Sequence, residues 1–536
     1  MAVPAVGPAR FSKPFYSSDI ATAQHASKPY LKWVLPNSTP VFVGRRVAFE
    51  YRRLVFVALD LVVLVRKRQE TSRGVRVCPP ASARSILSYP PSYAPSVSGT
   101  FPVLWGSIGH VREPKEIREK QSARFETRAV HAGERRAPCQ GAPGEENPTT
   151  PSGSTNGNFY PISTPIHLST TFAHENVEQT DRVLGGEEPG YSYARYGNPT
   201  ITAFEEAVAS LEGGGRAFAF ASGMAAMHGA LMAAEIGNGA TVLAAEQLYG
   251  STATLLVQVF GASGAETRFV DSCDLAAVER KVEELKPRAV VVETISNPLL
   301  RVADVPRIAE ITRAAGSTLI VDATFGTPCL QRPLELGADI VVHSATKYLS
   351  GHGDLTAGVV VADVPYDGAL EQLRKLVGGV MAPFEAWLAL RGLKTLPLRV
   401  QRQCENAEEV CAYLAGHPKV AKVFQPGLKD HPDHEVARRV LGSNGGLVSF
   451  ELAVESTETA REAAFRFLNS LELCVRAPSL GDIYTLAIHP ATSSHRELSP
   501  SRRARLGVEE NLIRVSLGIE HPEDIIEDIG QALEKV

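Results

Sequence analysis

Asp339-Ile-Val-Val-His-Ser-Ala-Thr-Lys-Tyr-Leu-Ser-Gly-His-Gly353 is the stretch that decides the reading of this chain. It opens as an apolar strand, Ile340 to Val342, and then turns small and polar. One lysine, Lys347, stands between Thr346 and Tyr348. An ammonium ion that follows a buried strand is costly unless it is paired or neutralised. An amine in such a place suits imine chemistry, because desolvation or a nearby cation makes it a nucleophile near neutral pH. The plain alternative is a surface lysine at a βα turn. Ser344 and Thr346 weigh against it by setting two hydroxyls beside the amine, and Gly351 and Gly353 let the backbone close around it.

Position by position, this run resembles the pyridoxal phosphate attachment site of the Cys/Met metabolism enzymes: cystathionine γ-synthase, cystathionine β- and γ-lyases, methionine γ-lyase and O-acetylhomoserine sulfhydrylase. The resemblance implies that Lys347 carries pyridoxal 5'-phosphate covalently. It also implies an α/β architecture of fold type I, like aspartate aminotransferase. That means a large domain with a mostly parallel sheet and a smaller C-terminal α/β domain.

Outward from this loop, the strands and helices alternate from about Phe218 to Val361, the pattern of a mostly parallel sheet wrapped by helices. Active sites lie at the carboxyl ends of such strands. Leu319 to Phe325 ends its apolar run at Asp322, whose ionised form needs a partner. A protonated pyridine nitrogen is one such partner, and an ordinary helix cap is the alternative. Thr324 follows, and Ala323 stands where many family members have asparagine. Ala217 to Gly229 runs from a strand through Ser222-Gly223-Met224 into a helix, and a small-residue turn at a helix start favours an anion. The family uses this turn, with Ser344 and Thr346, as a phosphate cup, which implicates Gly223 and Met224. Thr241 to Ala245 delivers Tyr249, either a core aromatic or, by resemblance, the residue stacked on the cofactor ring and near the substrate. Methionine γ-lyases have cysteine two positions beyond it, whereas this chain has Ser251. Asn297, after the strand Ala289 to Glu293, matches an asparagine that contacts cofactor and substrate.

Tyr191 to Thr200 reads Y-S-Y-A-R-Y-G-N-P-T, with Thr200 placed to cap a helix over Ile201 to Leu211. An arginine fork in a rigid loop suits bidentate phosphate binding, although a surface salt bridge explains it equally. In the family the matching Tyr193 and Arg195 reach the cofactor phosphate of a partner subunit. The resemblance therefore implies a homo-oligomer, a dimer of dimers, with shared sites. Phe125 to Gly133 and Pro161 to Phe172 resemble the family's N-terminal arm, and Pro138 to Asn158 reads as a flexible insert.

Beyond Gly378, helices over Pro383 to Leu393 and Arg399 to Leu414 lead to strands at Gly446 to Glu451, Leu473 to Ala477 and Leu512 to Ser516. Arg514 lies on an apolar strand and matches the family's α-carboxylate clamp; an internal salt bridge is the alternative. Ala477-Pro478-Ser479 resembles the substrate-carboxylate loop, which implicates Ser479. Pro478 looks more like the plant-type synthases than like enzymes with an acidic residue there, and Asp482-Ile483-Tyr484 replaces the more usual G-x-E. The domains expected are an N-terminal arm over 125–188, a cofactor-binding domain over 189–392 and a small domain over 393–536.

Composition limits the other options. The 536 residues are 44% hydrophobic and 21% charged, with a formal net charge of -4, which speaks against a nucleic-acid binder that works by charge. Seven scattered cysteines without a C-x-x-C pair suit a reducing compartment with no zinc site, so no metal is expected. No apolar run is long enough to span a membrane. There is no G-x-G-x-x-G and no G-K-[ST]. Residues 1–124 are basic and proline-punctuated. An organelle-targeting segment, a disordered tail and upstream sequence joined by a wrong start codon all fit, and the apolar block Leu54 to Val65 favours the last. The location expected is cytoplasmic, or an organelle if that segment is a targeting signal.

The combined expectation is a PLP-dependent trans-sulfuration enzyme acting on small amino acids. Cystathionine γ-synthase, in methionine biosynthesis, comes first. A γ-lyase or a sulfhydrylase is the alternative. A non-catalytic scaffold is disfavoured because Lys347 and Asp322 are both present.

Overall fold

A computed structural model describes residues 123–134, 161–454 and 457–536. The expectations for 1–122 and for the insert Pro138 to Asn158 lie outside the described residues.

Short runs of β-branched and other apolar residues make the first sheet, as expected of strands buried on both faces. Its strands are β1 (Arg216–Phe220), β2 (Thr241–Ala245), β3 (Glu266–Val270), β4 (Ala289–Glu293), β5 (Thr318–Asp322), β6 (Ile340–His343) and β7 (Gly358–Ala362). Their order is β1-β7-β6-β5-β4-β2-β3. The pairs from β3 through β6 are parallel, and β7 runs antiparallel to both its neighbours. The mostly parallel sheet is therefore as expected. One face buries Met227, Leu231, Val278 and Ile308 from three helices, and the other buries Phe204, Val208, Leu211 and Leu390.

The second sheet has the order β10-β11-β12-β9-β8, from β8 (Val420–Phe424), β9 (Leu447–Leu452), β10 (Val475–Arg476), β11 (Leu486–Ile488) and β12 (Leu512–Ser516). Helices Thr457–Ser470 and Pro522–Leu533 cover it. The expected strand over Leu473 to Ala477 shrinks to β10, because Cys474 bonds back to Asp528 and Ala477 opens the serine loop.

Helix Leu396–Ala415 joins the two cores. Leu396, Val400 and Cys404 pack with the first, while Ala407, Val410, Cys411 and Leu414 pack with the second. Twenty residues at 1.5 Å each make a rod of about 30 Å.

The helix after the Tyr-Arg loop starts earlier than expected. It spans Pro199–Glu212 with Asn198 as its cap, the Asn198 side chain accepting from the Thr200 amide. Pro199 suits the first helical position, which has no intrahelical use for an N–H. Thr200 instead donates its hydroxyl to the Pro165 carbonyl and accepts from the His167 amide, which fastens the N-terminal arm.

Candidate active site

Strand ends bring the first group of residues together. β5 ends at Asp322, and its Oδ1 accepts both the Thr324 amide at 3.0 Å and the Thr324 hydroxyl at 2.6 Å. Both bonds go to one oxygen, so Oδ2 is left for another donor. Burial raises the pKa of this carboxyl, and the Thr324 bonds pull it back. Thr324 Oγ1 in turn accepts from the Ser344 amide at 2.8 Å, which ties β5 to the start of the lysine loop.

The lysine loop closes as a compact turn, with Gly351 at φ +70 donating its amide to the Lys347 carbonyl. Arg399, on the helix joining the two cores, donates NH1 to the Tyr348 carbonyl and NH2 to the Gly392 carbonyl. A side chain on Gly351 would collide with that guanidinium. Lys347 Nζ projects to Ser479, donating to its Oγ at 2.9 Å. Burial lowers the pKa of this amine, and the positive charge of Arg514 lowers it further. Both effects favour the neutral, nucleophilic form.

Arg514 is buried at 3% exposure in the middle of β12. NH1 donates to Asn297 Oδ1 at 2.8 Å, NH2 donates to the Ser479 carbonyl at 2.9 Å, and Nε has no partner among the described residues. Burial pulls its pKa down to about 10. The internal salt bridge considered for it is absent among the described residues. A buried guanidinium held only by neutral acceptors is suited to receive a carboxylate.

The turn after β1 supplies a backbone cradle. Ser222 caps helix Gly223–Ala233 by accepting from the Ala225 amide. A Cβ on Gly223 would come within 2.9 Å of Ser344 Cβ and Oγ, so only glycine lets this turn sit against the lysine loop. Met224 follows on the same half-buried turn. The Ser344 hydroxyl has no hydrogen bond among the described residues. Thr346 differs: its hydroxyl donates to the Ala357 carbonyl and accepts the Ala357 amide. Its first role here is to pin the loop to the residue before β7.

Tyr249 is 42% exposed, which makes a core role untenable. Its amide donates to Glu293 Oε1 at 2.6 Å, and its hydroxyl lies near enough to Arg514 to interact with it electrostatically. Tyr193 and Arg195 form a separate patch. The guanidinium lies 5.0 Å from the Tyr193 ring centroid and 5.3 Å from that of Tyr196, and Nε donates to the Lys375 carbonyl.

Several residues of the site were not singled out from sequence. Glu293 is the register partner of Asp322 on the neighbouring strand, and His343, at the end of β6, bonds to Glu212. His495 bonds to Ser494 and sits beside Arg514, and burial holds its pKa at about 4. The five described cysteines are free thiols. Among the described residues no helix is long and apolar enough to cross a membrane.

These residues suit a phosphorylated pyridine aldehyde in three respects. There is a lysine of lowered pKa, a carboxylate oxygen left open at a strand end, and a glycine turn at a helix start packed directly against the lysine loop. Residues 151–534 match the model of the Cys/Met metabolism PLP-dependent enzymes. The chain belongs to that family. It is 42% identical over 371 residues to an L-methionine gamma-lyase of Pseudomonas putida, covering 69% of this chain and 92% of the relative. It is 40% identical over 376 residues to a cystathionine gamma-lyase of Bacillus subtilis, covering 70% and 95%. It also superposes, with a TM-score of 0.68 and 33% identity, on the cystathionine gamma synthase of Xanthomonas oryzae pv. oryzae in complex with aminoacrylate and cysteine, covering 77% of this chain and 98% of that one. Like its family, this is a PLP-dependent enzyme of sulfur amino-acid metabolism with the fold type I architecture.

Proposed function

We propose that this enzyme removes the γ-substituent of an L-amino acid by trans-sulfuration chemistry. The observation that carries the reading is the unbroken path from Lys347 Nζ through Ser479 to Arg514 and Asn297. It sets a proton-accepting amine next to a carboxylate clamp.

In this reading Lys347 is the attachment residue, Asp322 pairs with the ring nitrogen, and Gly223, Met224, Ser344 and Thr346 surround the phosphate. Pyridoxal phosphate, when bound, supplies an electron sink conjugated to the substrate's α-amino group. Arg514 and Asn297 grip the α-carboxylate and so fix which Cα bond faces the lysine. Ser479 holds Nζ in place until substrate arrives. Nζ then takes the proton from Cα and moves protons at the neighbouring carbons, as general base and then acid. Tyr249 flanks the same space.

Two outcomes share these steps. Elimination, giving 2-oxobutyrate and ammonia, is supported by the γ-lyases among the relatives. Replacement by cysteine, the cystathionine γ-synthase reaction, is the second reading, supported by the Ala477-Pro478-Ser479 loop. A product assay on holoenzyme separates them. Methionine and cystathionine alone test elimination, and an activated homoserine ester with and without cysteine tests replacement. Oxobutyrate from the thioethers, with no condensation, supports the first reading. Cystathionine made only when ester and cysteine are both present supports the second, and no turnover on any of these sets both aside.

Tyr193 and Arg195 are proposed to serve the cofactor phosphate of a partner subunit in a homo-oligomer. Arg195 keeps its two terminal nitrogens free for that task, since only Nε is bonded among the described residues. Mixing Lys347→Ala and Arg195→Ala chains tests this: shared sites restore activity in hybrids, and sites built from one chain do not.

A further inference from the structure

β4 ends at Glu293, and the chain makes a short excursion before helix Val305–Ala315. Ile295 and Val302 bridge its base. Inside it, the Ser296 amide donates to the Arg301 carbonyl, the Leu300 amide donates to the Ser296 carbonyl, and the Arg301 amide donates to Ser296 Oγ at 3.1 Å. Leu300 sits at φ +56, a conformation that a leucine keeps only when its surroundings hold it there. These bonds give the excursion its shape. Its direction is left open by them, because each lies within the excursion itself.

The excursion carries Asn297, whose Oδ1 accepts Arg514 NH1. From the first sheet, Glu293 accepts the Asn297 amide. The other holds come from the second sheet and its surroundings. Ser449, fully buried on β9, is the register partner of Arg514 on β12. Its hydroxyl donates to the Pro298 carbonyl at 2.6 Å. Arg514 and Ser449 therefore stand side by side and grip consecutive residues. Leu299 packs with Phe424, Val508 and Leu512.

A further hold lies at the foot of the excursion. Asp433, just before helix His434–Val440, is buried. Its Oδ2 accepts Arg301 Nε at 2.5 Å and the Val302 amide at 3.0 Å, and its Oδ1 accepts Arg301 NH2 at 3.1 Å. Asp304 takes the guanidinium of Arg439 from the same helix, so the charges cross between the two pairs. Asp271, after β3, is a weaker competitor at 3.9 Å from Arg301 NH1. A forked pair with a buried acceptor has a fixed geometry that an exposed pair lacks.

The clamp depends on that geometry. Arg514 Nε has no partner among the described residues, so two acceptors, Asn297 Oδ1 and the Ser479 carbonyl, set the plane of the guanidinium. Displacing either one turns the fork. We propose that Ser449 and Asp433 are positioning residues for substrate binding: they aim Asn297 Oδ1 at Arg514 and so orient the guanidinium that takes the α-carboxylate. The proposal rests on the reading of Arg514 and Asn297 as that clamp. It adds that the clamp is aligned by side chains bonded to the loop that carries Asn297.

The test uses full-length holoenzyme with Ser449→Ala, Asp433→Asn, Asn297→Ala and the two doubles that include Asn297→Ala. Each is titrated with L-alanine, which has the α-amino and α-carboxylate groups but no γ-substituent to lose, and visible absorption gives Kd. Cofactor affinity is measured on the apoenzymes alongside. Ser449→Ala and Asp433→Asn are each expected to weaken alanine binding about tenfold, the scale of a misaligned hydrogen bond to a charged group, with cofactor affinity unchanged. Both are expected to add little to Asn297→Ala, because they act through that residue. An unchanged Kd in the two single variants, or full additivity with Asn297→Ala, overturns the proposal and leaves the clamp standing. Unchanged alanine binding by Asn297→Ala overturns the clamp reading itself. If Asp433→Asn does not fold, Ser449→Ala, which removes one buried hydroxyl, decides the matter alone.

Discussion

Lys347 and Ser479 share a hydrogen bond of 2.9 Å although 132 residues separate them in the chain. One belongs to the loop after β6, and the other to the loop after β10 in the second sheet. The amine is therefore positioned by both halves of the molecule. Ser479→Ala is expected to leave cofactor attachment intact while lowering kcat, because a mobile amine is a poorer base. Borohydride-reducible cofactor and steady-state rates, measured together, check this.

Removing the amine has two opposite effects. Burial and Arg514 lower the Lys347 pKa below that of an unfolded lysine. Between the lowered folded pKa and the ordinary unfolded value, the unfolded chain binds more protons, so apoenzyme stability rises with pH across that window. Lys347→Met abolishes covalent attachment. It is also expected to raise the apoenzyme Tm at pH 7 and to flatten this part of its pH dependence. Melts of both apoenzymes across the alkaline range are the check.

The clamp should respond to charge more than to size. Asn297→Asp would set a carboxylate 2.8 Å from Arg514 NH1, where an amide oxygen now stands. That internal carboxylate competes with the substrate's own. The expected result is a KM raised by about tenfold or more with a smaller change in kcat, consistent with a loss of binding on the order of 2 kcal/mol.

A prediction about stability concerns Glu205 and Arg374, a buried pair at 2.5 Å in which Glu205 Oε1 also accepts the Ala219 amide. Burial raises the Glu205 pKa, and Arg374 opposes it. Arg374→Met leaves the carboxylate stranded and should cost about 3–5 kcal/mol, whereas adding Glu205→Gln should recover part of that. Denaturant melts of the single and double variants measure the difference.

Much of the site was legible because its parts sit where strands end. Asp322 closes an apolar run, Arg514 interrupts one, and Lys347 and Asn297 each follow a strand end by four residues; the ends of β4, β5 and β12 coincide with the sequence boundaries to within a residue. Thr200 was misread because a hydroxyl before a helical run has two uses, and only the neighbouring arm shows which one wins. The Thr346 hydroxyl, expected beside the amine and the phosphate, also bonds the Ala357 backbone, a contact that the local sequence does not reveal. Glu212 and His343 were invisible as a pair. Each is a single polar residue in an ordinary run, and 131 residues separate them.

Helix Leu396–Ala415 leans on both cores and carries Arg399, whose guanidinium braces the backbone of the lysine loop. A cut anywhere along it would strip each half of apolar cover that it does not own. This enzyme should therefore resist being divided into two complementing fragments at that point. A surveyor of random mutations would also find inactivating changes at Arg399, a side chain that touches neither cofactor nor substrate.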